Sequence, residues 1–183
     1  MTVDQIIDAT IGKEGGYSNH PSDAGGETMW GITAAVARAN GYNGSMKAMP
    51  RSEAVRIYRE QYFVKPGFAK VAEISPRVAE ELFDTGVNMG DTWPRRWLQQ
   101  WLNALNRQGR DYADVVEDGA IGPATVGALG RLIAVRGRQA AEDVLLKGLN
   151  SSQGARYLEL ARQRSANEDF VFGWLANRVG LAA

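Results

Sequence analysis

No stretch of this 183-residue chain alternates apolar and polar residues for long enough to build a substantial sheet, and no long segment repeats. Apolar residues recur instead every three or four positions, the period of a helix that buries one face. At the start, Thr2 and Gln5 fit a capping box, and Val3, Ile6, Ile7 and Ile11 make one stripe. A helix is expected there that stops at Gly15-Gly16 and carries Glu14 in its last turn. Residues 15 to 30, rich in Gly, Ser, Asn, Pro and Asp, read as turns or a short, irregular hairpin. A second helix is expected from near Thr33, and a third, "RSEAVRIYREQYF", capped near Ser52 with Val55, Tyr58 and Tyr62 on one face. A fourth should open at Ser75-Pro76 with the stripe Val78, Leu82 and Phe83, proline being favoured at the first helical position. A fifth should start near Asp91 to Pro94 and carry Trp93, Trp97, Leu98, Trp101, Leu102 and Leu105. After a loop beginning "NRQGRDY", helices are expected around 123–136, 137–149, 151–165 and 167–179. The fold class is therefore all-α, and the Gly-rich turn near 86–91 suggests two helical regions, 1–92 and 93–183.

At 44% hydrophobic residues the chain can bury a sizeable core. Its 21 basic and 21 acidic residues balance, which gives no case for nucleic acid as partner. The absence of cysteine excludes a disulfide framework and any thiolate metal site. The N-terminus, "MTVDQIIDATIGKEGG", lacks the basic and apolar regions of a signal peptide, and no apolar run reaches membrane-spanning length. Synthesis in the cytoplasm without stable membrane insertion is expected, and a target outside would need a carrier.

The chemistry concentrates in "GKEGGYSNHPSDAGGETMWGIT", Gly12 to Thr33, with three carboxylates among its glycines. Glu14, at a helix C-terminus, would feel the partial negative charge of unpaired carbonyls, which raises a carboxyl pKa. A carboxylic acid kept protonated near neutral pH suits protonation of a leaving oxygen in glycoside cleavage. A solvated surface glutamate is the competing reading. Asp23 lies across a loop that can fold back toward Glu14, and two carboxylates facing across a cleft are the minimum for that chemistry. It also suits an Asx-turn, and the two roles are compatible. Glu27 is a rival second carboxylate or a rim residue. Thr28 can orient a water beside Asp23 or simply end a strand. Tyr17 and Trp30 can stack on a sugar ring or pack the loop on the core. His20, the only histidine, among scattered acids makes a poor metal site, so neither metal nor cofactor is expected.

These motifs resemble glycoside hydrolase family 108, bacterial and phage muramidases that cut peptidoglycan. The resemblance rests on Glu14-Gly15-Gly16-Tyr17, Asn19-His20-Pro21, Asp23, Gly25-Gly26, Thr28, Gly31-Ile32-Thr33, Ile57-Tyr58 and Tyr62. It continues at Phe83-Asp84, Val87-Asn88 and Gly90, and departs at Ala24 for proline and Phe63 for tryptophan, neither of them a carboxylate. "DGAIGPATVGAL" and the closing "RYLELARQRSANEDFVFGWLANRV" resemble the family's usual partner, a peptidoglycan-binding domain. The order Glu14, Asp23, Thr28 is also similar to the catalytic trio of phage-type lysozymes, where the threonine lies one position further on. The resemblance implies a lysozyme-like α fold with the cleft at the end of the first helix. It implies a monomer acting on the glycan strand of the cell wall (the periplasm) after release, by a holin in a phage endolysin or by recruitment to secretion.

"FDTGVNMGDT" forms a second constellation. Asp84 reads as a buried polar staple, and Asn88 either binds an N-acetyl group, supports Glu14, or staples as well. The fourfold spacing of Trp93, Trp97 and Trp101 reads as core packing rather than a sugar platform, and Arg95, Arg96 and Arg107 as solvated helix faces. Three activities fit: an N-acetylmuramidase, a lytic transglycosylase, and a non-catalytic wall-binding or phage structural protein on a lysozyme fold.

Overall fold

The computed structural model describes residues 3–13, 16–19 and 26–180. The chain divides after Lys65 into two compact units.

In the first unit, α1 (Val3–Lys13) buries Ile7 and Ile11, as their spacing dictates. Ion pairs from Arg51 to Asp8, at 2.8 Å, and from Arg59 to Asp4 tie its outer face to the helix it packs on. The hairpin expected after α1 is present and small. Strands β1 (Thr28–Met29) and β2 (Ile32–Thr33) pair antiparallel, Thr28 opposite Thr33. Their two-residue turn has Trp30 at φ 56° and Gly31 at φ 76°. Positive φ at both positions is the type I′ geometry, whose twist matches that of paired strands. Thr33 then caps α2 (Ala34–Ala39), its hydroxyl accepting from Val36 N at 3.3 Å.

The third helix differs from its expected form. α3 (Arg51–Tyr58) starts after Pro50, and Ser52 is not its cap. Proline has no N–H to leave unpaired there, and Glu53 places negative charge in the first turn. A π-helical segment, Arg59–Val64, continues directly from it. Its wider turn, closed by hydrogen bonds five residues apart such as Lys65 N to Glu60 O, brings Phe63 rather than Tyr62 into the interior below Tyr58. The buried face is thus Ala54, Ile57, Tyr58 and Phe63, with Val55 and Tyr62 half-buried.

The second unit opens with α4 (Phe68–Ile74), a helix the periodicity does not announce because its seven residues span only two turns. α5 (Pro76–Met89) begins as its sequence requires: the Ser75 hydroxyl accepts from Val78 N at 3.2 Å. Val78, Leu82 and Phe83 are fully buried. α6 (Thr92–Leu105) buries Trp97, Leu98 and Leu102. The loop behind it is pinned by amides on α6. Gln99 accepts from Gly119 N at 2.7 Å and donates to Asp118 at 3.0 Å, and Asn103 exchanges two hydrogen bonds with the Val115 backbone.

α7 (Pro123–Arg136) leads into α8 (Arg138–Gln163), one continuous helix where the sequence suggested two. "Asn150-Ser151-Ser152" reads as a break, yet Asn150 and Ser151 return their side chains to the carbonyls of Leu146 and Lys147, at 2.9 and 2.7 Å. Packing on α5, α6, α7 and α9 overrides the local preference. α9 (Glu168–Arg178) is anchored by Trp174 against Tyr157, ring centroids 5.1 Å apart, and by Arg178 on Asp84 at 3.0 Å.

Candidate active site

Glu14 and Asp23 lie outside the described residues, and so does His20. The structure describes the scaffold on both sides of them. Ser18 and Thr28 form a backbone bridge, Ser18 N to Thr28 O at 2.9 Å and Thr28 N to Ser18 O at 2.8 Å. The bridge thus pairs the described residues on either side of the segment that contains Asp23. Glu14 precedes this bridge by four residues, a reach of at most ~14 Å.

The bridge brings Tyr17 beside Glu27, and the phenol donates to Glu27 Oε1 at 2.8 Å. That hydrogen bond pushes the Tyr17 pKa upward. Lys47 lies over the Tyr17 ring, 5.0 Å from its centroid. Glu27 is therefore engaged by a partner rather than standing alone at a rim. Thr28 donates to Gly26 O at 3.3 Å, a long bond that leaves the hydroxyl lone pairs available.

Trp30 carries the clearest mark of local strain, because bulky residues rarely take positive φ. Two contacts hold it: its indole N–H donates to Met49 O at 3.1 Å, and Tyr58 donates to Trp30 O at 3.0 Å. With its N–H taken, only the ring face remains for a ligand.

Asn88 belongs to the second unit, on α5, where its amide donates to the Tyr157 hydroxyl of α8. Asp84, one turn earlier, pairs with Arg178. Both residues thus join helices in that unit, the arrangement the staple reading anticipated for Asp84. Among the described residues no group of three or more His, Asp or Glu side chains is placed to hold a metal ion, and no helix is long and apolar enough to cross a membrane.

Two features escaped sequence reasoning. The Tyr17–Glu27 pair is ten residues apart, a separation that only the strand bridge makes meaningful. Glu81, on α5, has its pKa raised to about 7, chiefly by burial, with the charges of Asp84 and Glu80 acting in the same direction. Its sequence signal was its position, one residue before the buried Leu82.

Residues 7–90 match the family model described as glycosyl hydrolase 108, and residues 93–179 match one described as a predicted peptidoglycan domain. No curated protein shows significant sequence similarity to the chain. The solved structure of SagA from Brucella abortus superposes with a TM-score of 0.67 at 25% identity, covering 97% of this chain and 90% of that one. The chain thus has the mainly helical, lysozyme-like fold that its motifs implied. Residues 7–90 thus belong to glycosyl hydrolase family 108, followed by a predicted peptidoglycan domain over residues 93–179.

Proposed function

We propose that this glycoside hydrolase of peptidoglycan is an N-acetylmuramidase. It cuts the β-1,4 bond between N-acetylmuramic acid and N-acetylglucosamine. Glu14 protonates the leaving oxygen, Asp23 acts as base on a water, and Thr28 orients that water. Tyr17, Trp30 and Asn88 contact the sugars. Residues 1–92 carry the chemistry and residues 93–183 bind the wall. The chain works as a monomer, reaching the wall from the cytoplasm by a holin or a secretion route.

The observation that supports this best is the Ser18–Thr28 bridge. It pairs Thr28, at one end of the segment that contains Asp23, with Ser18, which follows Glu14 by four residues along the chain. The glycines of that segment let backbone N–H groups turn toward a carboxylate, which favours the charged form needed of a base. An acid and a base working at one pH must titrate apart.

Thr28 has no obvious job if Asp23 is a nucleophile but has one if water is activated directly, a route that inverts the anomeric configuration and needs carboxyl groups ~6.5–9.5 Å apart. Proton NMR of the first-formed sugar end should show inversion. Asp23→Asn should lower turnover ~10²-fold or more, as loss of a general base does. Undiminished turnover would remove Asp23 and leave Glu27 as the second carboxylate.

A further inference from the structure

Trp93, Trp97 and Trp101 share one stripe of α6 but not one environment. Trp101 is seated against Gly148, with its indole N–H donating to Ser152 at 3.0 Å, and Trp97 is buried. Trp93 is 38% exposed. It lies at the lip of a groove of about 260 Å³ between α6 and α8, with Trp97, Ser152, Ala155 and Arg156 around it. Ser152 and Ala155 are the small residues that α8 contributes to its wall.

Its polar members are held in place. The Arg156 guanidinium lies over the Trp93 ring, 4.4 Å from the centroid, and donates to Glu159 at 2.6 Å. Trp97 tilts against the same ring at 5.8 Å. An exposed indole locked by two neighbours loses little freedom on binding, and one bond to Glu159 leaves most of the five Arg156 donors unused.

We infer that this groove is where the second region grips peptidoglycan, an N-acetylated sugar resting its C–H face on Trp93 while Arg156 takes a carboxylate of the attached stem peptide. This rests on the reading of residues 93–179 as wall-binding, and every residue named lies within them. An aromatic face beside a cation also fits the substrate, which alternates apolar ring faces with anionic stems.

The test is co-sedimentation with purified insoluble sacculi, in a Glu14→Gln background so that the glycan stays whole. Trp93→Ala should weaken binding about tenfold, the scale of one lost aromatic contact. Ala155→Trp fills the groove from an exposed position without removing any packed side chain, and should weaken binding at least as much. Phe172→Ala, on a side chain 83% exposed on α9 and outside the groove, is the control and should bind as the parent does. If Trp93→Ala and Ala155→Trp both sediment like the parent, the groove is not the site. Digestion of the same sacculi by the wild type is scored separately. Failure to cut would sink the muramidase reading alone, whereas cutting with groove-independent binding would sink this inference alone.

Discussion

Glu81 shows how a single buried acid sets a pH response. Its carboxyl is raised from the ordinary value to about 7, first by burial and then by Asp84 and Glu80. Thr85 donates to it at 3.3 Å. A side-chain hydrogen bond from Asn150 acts the other way and lowers the pKa, without offsetting the burial. The native state therefore holds this proton more tightly than the unfolded chain does, so its contribution is complete below about pH 4.5 and is lost as pH rises toward 7. Melting curves across that window should show stability falling from this site. In Glu81→Gln, which keeps a donor and cannot ionise, that part of the fall should vanish. An unchanged pH dependence would mean that Glu81 is ionised in the native protein. Ser75 makes a second residue-scale case. It caps α5 and donates to the buried Glu142 at 2.8 Å, so Ser75→Ala should cost about 2 kcal/mol in a denaturant titration.

At the scale of elements, α6 and α8 meet at a glycine. A Cβ on Gly148 would stand 2.6 Å from the Trp101 ring, whose N–H is fixed by Ser152. Gly148→Ala should therefore destabilise by about 1–3 kcal/mol, even though alanine favours the helix itself. A neutral or stabilising result would show that the two helices part easily. Helices whose stripes run three or four turns were legible in the sequence, as at Val78, Leu82 and Phe83. α4 was not, because two turns give no period to read. The continuity of α8 was hidden because Asn150 and Ser151 prefer turns until packing decides otherwise. The fourfold spacing of the tryptophans announced a shared face. It held no information about where the small residues of α8 would leave Trp93 uncovered. Beside the candidate site, the hairpin was legible from glycine and turn chemistry. The Trp30-Gly31 turn was not, since a bulky residue at positive φ is stabilised by Tyr58 and Met49, far along the chain.

For the whole molecule, the family match ends at residue 90, while α5, which it includes, packs on α4, α6 and α8 of the second unit. Cutting after residue 92 would remove α6 and α8 and leave much of the buried face of α5 in water. A fragment of residues 1–92 should accordingly be poorly folded, with a broad thermal transition and exposed apolar surface. A cooperative, active fragment would contradict the dependence of the catalytic region on α6 and α8.

The most direct test is mass spectrometry of the fragments released from purified peptidoglycan by the wild type and by Glu14→Gln, each shown to be folded. The wild type should release muropeptides ending in a reducing N-acetylmuramic acid. Glu14→Gln should release them ~10²–10⁴ times more slowly, the usual loss with a general acid. Release by Glu14→Gln at near the wild-type rate, or anhydro ends from the wild type, would contradict hydrolysis with Glu14 as the acid.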